Sequence, residues 1–383
     1  MPGSHRRTGR LTRIGSEELG GLDMLTFGVS VQGKYHKELD LVCQDDNRSR
    51  VLTSGYYMAI VADGVGSAPH ADVGAQIAVD RLFRYCDERI QKGMSPEQQI
   101  DILRDGYEYA FGETLEYVDA RQEDICAYDT TLSSVIYDGQ RVVFGHAGDG
   151  GIIVRYADGL IAPVTKRQKG ADGISVIPLR AGADYWEFGY TTMDVAGVLL
   201  ATDGLLDGIF QPTIVNLPQD REALLSRKFS KDNVYITAVE FFLNPHMLFL
   251  NRHVEDPHAV LEHFVRGDLQ KDDQEQLLRY LINGYEGFLP QEGFVDTMKT
   301  ITKYYYLVWA LTQVQDDKTV AGLINDEMEV TAQDITYYQE IDWVAAQKLY
   351  LTLLYGQDPE KASKPGQEQE ADAEETAESE SLE

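Results

Sequence analysis

The chain is predicted to fold as an α+β sandwich of mostly antiparallel sheets flanked by helices, and three observations support this. Strand-like and helix-like segments come in blocks (strands, two helices, strands, helices, a last strand), which disfavours a doubly wound parallel sheet. The segments DTTLSSVIYD and QRVVFGHAGDGGIIVRYADG meet at Asp138-Gly139, a strong short hairpin signal. Two compact apolar runs, Met58 to Ala62 and Val195 to Ala201, read as buried strands, and each is followed closely by Asp-Gly.

In chain order, Leu25 to Gly33 alternates apolar and polar residues and reads as a half-buried strand. A polar stretch holding Gln44, Asp45 and Asp46 follows, and Val51 to Ala62 contains the next strand. After the acidic turn Asp63-Gly64-Val65-Gly66-Ser67, apolar residues recur at helical spacing from His70 to about Lys92, with Gly93 placed to stop the helix. Ser95-Pro96-Glu97-Gln98 opens a second helix to about Ala120: Ser as N-cap, Pro at the first helical position and Gln closing a capping box. Beyond the hairpin, further strands are expected at Ile174 to Leu179, Tyr185 to Thr192 and Val195 to Ala201, and a last short one in VAGLI, Val320 to Ile324. The segment from about 223 to 311 is helix-rich, and Ile341 to Tyr355 has a helical apolar pattern. The organisation is therefore an arm without fixed structure at 1–22, a main domain at 23–330 with a helical insert at about 223–311, a helical segment at 331–356, and a tail at 357–383. That tail carries ten acidic and two basic residues with almost nothing apolar, the composition of a disordered segment.

The formal net charge of −29 argues against a nucleic-acid or anionic-membrane surface, since a phosphate backbone needs basic patches. No apolar run approaches the roughly 18 residues of a membrane span. The basic N-terminus lacks the apolar stretch of a secretory signal. Three cysteines without metal-ligand spacing suggest neither a disulfide framework nor a zinc site and are expected in the core. Together these point to a cytoplasmic protein.

Asp45, Asp63, Asp203 and Asp316 each sit at the edge of a predicted strand. Oxygen ligands without His or Cys suit Mg²⁺ or Mn²⁺ rather than zinc or copper. Brought together, such carboxylates would repel unless cations neutralised them. Two divalent ions about 3.5–4 Å apart can lower the pKa of a bridging water and stabilise both the attacking and the leaving oxygen at phosphorus. Hydrolysis of phosphate monoesters, among the slowest uncatalysed reactions, is the natural reaction class.

The ordered set CQD (Cys43 to Asp45), VADGVGS (Val61 to Ser67), DTTL (Asp129 to Leu132), GHAGDGG (Gly145 to Gly151), LLATDGLLDGI (Leu199 to Ile209) and DDKTV (Asp316 to Val320) resembles the metal-dependent Ser/Thr protein phosphatases of type 2C in their bacterial form. Each motif is weak alone, but six in family order over about residues 25 to 325 are specific together. The resemblance implies a four-layer α/β/β/α sandwich with a binuclear Mg²⁺ or Mn²⁺ centre at one end of the sheets. It implies that Asp63 bridges the two ions, that the Gly64 carbonyl binds one, and that Asp203 and Asp316 hold the other. Asp45 would lie beside the first ion, and Asp149 near a third, weaker ion shared with Asp203. Asp317 competes with Asp316 for its place, and Thr319 fixes the register on Asp316. Asp63, Asp203 and Asp316 would act in catalysis through water held by the metals.

Three positions depart from the family pattern. Gln44 stands where some members have Glu, Val65 where some have a His that could serve as general acid, and Asp40 where a phosphate-gripping Arg is expected. His36 and Lys37 are candidate substrate-binding substitutes by proximity. The function implied is hydrolysis of phosphoserine and phosphothreonine in proteins, counteracting a Ser/Thr kinase. The alternatives are a pseudophosphatase or regulatory binding module on the same fold, and a small-molecule phosphatase. The helical insert is expected to form a lid or partner surface near the cleft.

Overall fold

Among the described residues, eleven strands form two antiparallel sheets. One has the order β1 (Thr12–Arg13), β2 (Met24–Val31), β11 (Lys318–Asn325), β10 (Val195–Ala201), β7 (Gly151–Tyr156), β8 (Ile161–Pro163). The other runs β3 (Asp46–Val51), β4 (Tyr57–Ala62), β5 (Leu132–Tyr137), β6 (Val142–Ala147), β9 (Glu187–Tyr190). The computed structural model describes residues 12–13, 24–170, 175–207, 210, 234, 236–243, 314–325, 327–331, 333 and 337. All of these belong to one compact unit, Met1–Asn216 with Ser230–Glu340; a second unit, Leu217–Phe229 with Ile341–Glu383, lies outside the described residues. Most of the helix-rich segment at 223–311 and the acidic tail lie outside them too.

The strand periodicity explains the layering, because successive side chains point to opposite faces. From β4, Tyr57, Ala59 and Val61 enter the space between the sheets, where they meet Ile152, Val154, Val198, Leu200 and Leu323. Met58, Ile60 and Ala62 face the other way, onto α2 (Ala71–Arg89) and α3 (Pro96–Asp119), through Ala75, Val79, Leu82, Leu103 and Tyr107. The far face of the six-stranded sheet is covered by α5 (Ile236–Leu243): the Phe242 ring stacks tilted on Phe27 at 6.4 Å, and Glu240 pairs with buried Arg155 at 2.8 Å. The result is the four-layer α/β/β/α sandwich, with helices outside two antiparallel sheets.

Helix α3 begins as the sequence dictates. Ser95 Oγ accepts from the Gln98 backbone N–H at 3.3 Å, and Gln98 Oε1 accepts from the Ser95 N–H at 2.9 Å, which is the expected capping box. At the Asp138-Gly139 turn, Gly139 has φ +96 and Asp138 Oδ1 accepts from the backbone N–H of Gln140 and Arg141. The left-handed φ is what glycine supplies there.

Several sequence expectations need correction. The strand β2 is buried on both faces rather than half-buried, because its polar face lies between the sheets: Ser30 Oγ accepts from both Asn47 Nδ2 and Thr319 Oγ1 at 2.7 Å. Residues 175–179 do not form the expected strand. Only a Lys169–Val176 bridge and a 3₁₀ turn, Leu179–Ala181, appear there, consistent with Pro178, which has no backbone donor for a ladder. The strand β3 was hidden by its polar sequence, DNRSRV, which its intermediate burial tolerates. Of the three cysteines, Cys86 is buried, Cys43 intermediate and Cys126 exposed. Thr12 and Arg13, within the segment read as an arm, pair with β2.

Candidate metal centre

In an antiparallel sheet the end of one strand lies beside the start of the next, so one rim of the sandwich collects residues from distant parts of the chain. Asp46 at the start of β3 faces Ala62 at the end of β4. Ala201 at the end of β10 faces Gly151 on one side and Val320 on the other. The residues just beyond these positions are Asp45, Asp63, Asp149, Asp203 and Asp316. Strand ladders therefore deliver all five acidic residues to the same rim.

There, ligand atoms of Asp63, Asp149 and Asp203 lie within 4.8 Å of one another. They share with Asp316 an open cleft of about 380 Å³, whose wall also includes Val65, Thr131 and Arg180. Asp45 sits behind this wall, 8% exposed, with Oδ2 accepting from Thr202 Oγ1 at 2.9 Å. Gly64 is fixed by backbone contacts: its N–H donates to the Gln44 carbonyl at 3.2 Å, and it bridges Thr130. The DTTL motif holds the Asp63 backbone on both sides. Thr131 Oγ1 accepts from the Asp63 N–H at 3.0 Å, while the Thr131 N–H and Thr130 Oγ1 donate to the Asp63 carbonyl at 2.8 and 2.9 Å.

Asp316 and Asp317 send their side chains to different places. Asp316 lines the cleft. Asp317 turns inward, 2% exposed, and accepts from the Gly33 N–H at 2.6 Å and the Gln44 N–H at 2.5 Å, with His36 Nδ1 at 2.8 Å from Oδ2. Its Cα-side backbone is also crowded: a Cβ on Gly204 would fall 1.9 Å from the Asp317 carbonyl oxygen, so the turn after Asp203 packs there only as glycine. Asp317→Ala is expected to destabilise the protein by about 2–5 kcal/mol, because it strands two buried N–H donors. A urea midpoint unchanged from wild type would contradict this.

His36 and Lys37, read from sequence as substrate-binding substitutes, do not line the cleft. His36 is 4% exposed and committed to Asp317, and Lys37 is exposed on the one-turn helix α1 (Lys34–Glu38). The cation that sequence reasoning missed is Arg180. Its Nε and Nη2 donate to the two carboxylate oxygens of Asp129 at 2.7 Å each, a two-point pairing that fixes the guanidinium at the cleft wall. No local signal marked it, since the pair joins residues 51 positions apart.

The electrostatics fit a site built for cations. Burial, reinforced by the charges of the neighbouring carboxylates, holds Asp45 and Asp63 well above the usual carboxylate range. Asp203 is pushed up to about 7, by burial first and then by Asp149 and Asp316, and Asp316 is raised, mainly by burial. Asp45 Oδ1 and Asp203 Oδ1 are buried with no hydrogen-bond partner among the described residues. Unpartnered carboxylate oxygens in an all-oxygen donor set match hard divalent ions such as Mg²⁺ or Mn²⁺.

Two antiparallel sheets with a carboxylate-lined cleft at one rim, where Asp63, Asp149 and Asp203 could hold a metal ion, make this a candidate metal-binding site. The family model described as Protein phosphatase 2C matches residues 32–230, just over half of the chain, and the chain belongs to that family. It is 26% identical over 142 residues to Serine/threonine-protein phosphatase 3 of Escherichia coli (strain K12), covering 36% of this chain and 55% of that protein. The chain thus spans about half the length of this curated relative. Among solved structures it is similar to the S. agalactiae serine/threonine phosphatase, with a TM-score of 0.45, 14% identity, and 79% of this chain and 100% of that one covered. It is also similar to the Staphylococcus aureus serine/threonine phosphatase Stp1, with a TM-score of 0.43, 12% identity, and 79% and 94% covered.

Proposed function

We propose that the protein is a Mg²⁺- or Mn²⁺-dependent phosphoprotein phosphatase that hydrolyses phosphoserine and phosphothreonine. The observation that carries this reading is the convergence of Asp63, Asp149, Asp203 and Asp316 on one open cleft, with Asp45 behind them. Divalent ions bound there would supply the lowered water pKa and the phosphoryl polarisation that monoester hydrolysis requires.

The chain's own residues perform the rest. Asp63, fixed by Thr130 and Thr131, and Asp203, at the start of the short helix α4 (Asp203–Leu206), would hold the ions, with Asp316 and the Gly64 carbonyl completing the set. Asp45 would hold one ion from the rear while Thr202 orients it. Val65 lines the cleft where a His general acid would stand, so no side chain at that position donates a proton to the leaving oxygen. Arg180, with Nε and Nη2 engaged by Asp129, has no partner for Nη1 among the described residues and could offer it to a phosphoryl oxygen.

A site open at one rim suits a phosphorylated side chain on a protein surface. We assign the substrate to that class, with a cytoplasmic setting and a Ser/Thr kinase as the opposing activity. The test compares release of phosphate from phosphoserine and phosphothreonine peptides, with and without Mn²⁺, against p-nitrophenyl phosphate and nucleotides. Faster turnover of nucleotides than of phosphopeptides would overturn the substrate assignment, and activity in EDTA would overturn the mechanism. Arg180→Ala is expected to raise KM for the phosphopeptide about tenfold, the worth of one charge-assisted hydrogen bond, with a smaller change in kcat. An unchanged KM would remove Arg180 from substrate binding.

A further inference from the structure

The acidic rim already contains cations of its own. Asp149, 3% exposed, follows Gly148 in the turn between β6 and β7. Lys169 Nζ lies 3.2 Å from Asp149 Oδ2. Arg167 donates through Nε to the Asp149 carbonyl at 2.8 Å and holds Nη2 3.9 Å from the same carboxylate oxygen, while its Nη1 pairs with Asp207.

Lys169 is not a surface lysine that happens to lean on an acid. Its side chain is 27% exposed, and the backbone that carries it is clamped on two sides. On one side the Gln168 N–H donates to the Gly148 carbonyl at 2.8 Å, while Gln168 Oε1 accepts from the Gly148 N–H at 3.0 Å. On the other, Lys169 bridges Val176, flanked by hydrogen bonds from Gly170 N–H to the Ser175 carbonyl and from Ile177 N–H to the Gln168 carbonyl. The ammonium is thereby delivered to the Asp149 turn by fixed backbone. A half-buried, pre-positioned ion pair is screened less than an exposed one.

Asp149 also belongs to the group Asp63–Asp149–Asp203, whose ligand atoms lie close enough to hold an ion. A divalent ion using Asp149 would have to sit beside, or expel, an ammonium that occupies one of its oxygens. We propose that Lys169, backed by Arg167, is a resident counter-cation for Asp149, and that a divalent ion taking Asp149 as ligand must displace it. The acidic rim then has two classes of position: carboxylates with no ion-pair partner among the described residues (Asp63, Asp203, Asp316), and one carboxylate already paired with an ammonium of the protein. On this assignment it is Lys169, and not distance from the other acids, that weakens divalent binding at Asp149.

This inference rests on reading the cleft as a divalent metal centre, and its test uses Mn²⁺ alone, without substrate. Wild-type protein, titrated by calorimetry with free Mn²⁺ counted in parallel by its electron paramagnetic resonance signal, is expected to take two ions tightly. Lys169→Met, which keeps the length and packing of the stem, is expected to take a third ion, or to tighten the weakest site about tenfold. Lys169→Arg should behave as wild type. The double variant Lys169→Met with Asp149→Asn should lose the gain, which locates it at Asp149. Wild-type protein that binds two ions while Lys169→Met shows the same count and affinities overturns the assignment and leaves the metal centre standing, as does wild-type protein that fills three sites with equal affinity. Wild-type protein that takes up no Mn²⁺ overturns both.

Discussion

Asp63→Asn is expected to lower Mn²⁺-dependent release of phosphate from a phosphothreonine peptide by roughly 10³-fold or more, the scale on which metal-assisted phosphoryl chemistry depends on its ions. The substitution is nearly isosteric. The contacts that position residue 63 run through its backbone, from Thr130 and Thr131, and should survive. What changes is the charge and the number of oxygens offered to a cation. Asn provides one neutral oxygen in place of a carboxylate able to touch two ions, and the nitrogen beside it is a donor facing other carboxylates. Asp203→Asn should behave alike, since Asp203 Oδ1 is buried and unpartnered among the described residues. The measurement that decides is single-turnover phosphate release alongside Mn²⁺ titration. Wild-type rates in either variant would sink the role of the acidic set, whereas weaker metal binding with a rate restored at high Mn²⁺ would place the defect in ion affinity.

Removing the ions is expected to make the protein's stability fall as pH rises, the reverse of ordinary acid denaturation. A carboxylate normally has a folded-state pKa below its unfolded value and stabilises the fold above that range. Here Asp45, Asp63 and Asp316 are raised and Asp203 is pushed to about 7, so between about 4 and 7 the folded state binds more protons than the unfolded one. Stability is then greatest at the acid end of that window and declines towards pH 7 or above, by about 1.4 kcal/mol for each unit by which a carboxylate is raised. Mn²⁺ should oppose this, because ions replace the protons the site otherwise retains and bind better as those protons leave. In EDTA the melting temperature should be several degrees higher at pH 5.5 than at pH 8, and saturating Mn²⁺ should raise the pH 8 value by about 5 °C or more. Equal melting temperatures at the two pH values, or no response to Mn²⁺ at pH 8, would contradict the cluster's electrostatics.

These expectations also show which parts of the molecule could be read from sequence. An apolar run followed by Asp-Gly is a local pattern, so Asp63 and Asp203 could be placed at strand ends. Ser95 and Gln98 could be paired across one helical turn, and the outcome matched. Asp316 could be proposed because it lies next to a recognisable strand, whereas Asp149 could be proposed only from the family resemblance of its motif. What escaped was set by tertiary placement. Nothing near residue 180 announces that Asp129 will hold its guanidinium, and nothing near residue 169 announces Asp149. His36 lies off the cleft lining because it is buried against the carboxylate of Asp317. The strand β3 was missed because a strand with partly open faces has no need of an apolar pattern.

The adjacency of β10 and β11 has a consequence for how the chain can vary in length. Residues 201 and 320 are cross-strand partners although more than a hundred positions separate them, and the ladder from Gly197–Ile324 to Ala201–Val320 sets their register. Asp203 and Asp316 are therefore located by strand pairing and not by whatever the intervening chain does. The entropic cost of closing such an excursion rises only with the logarithm of its length. Outside α4 and α5, which pack on the sandwich, the span between these two acids is a port at which sequence can be inserted, exchanged or shortened while the acids on either side keep their places.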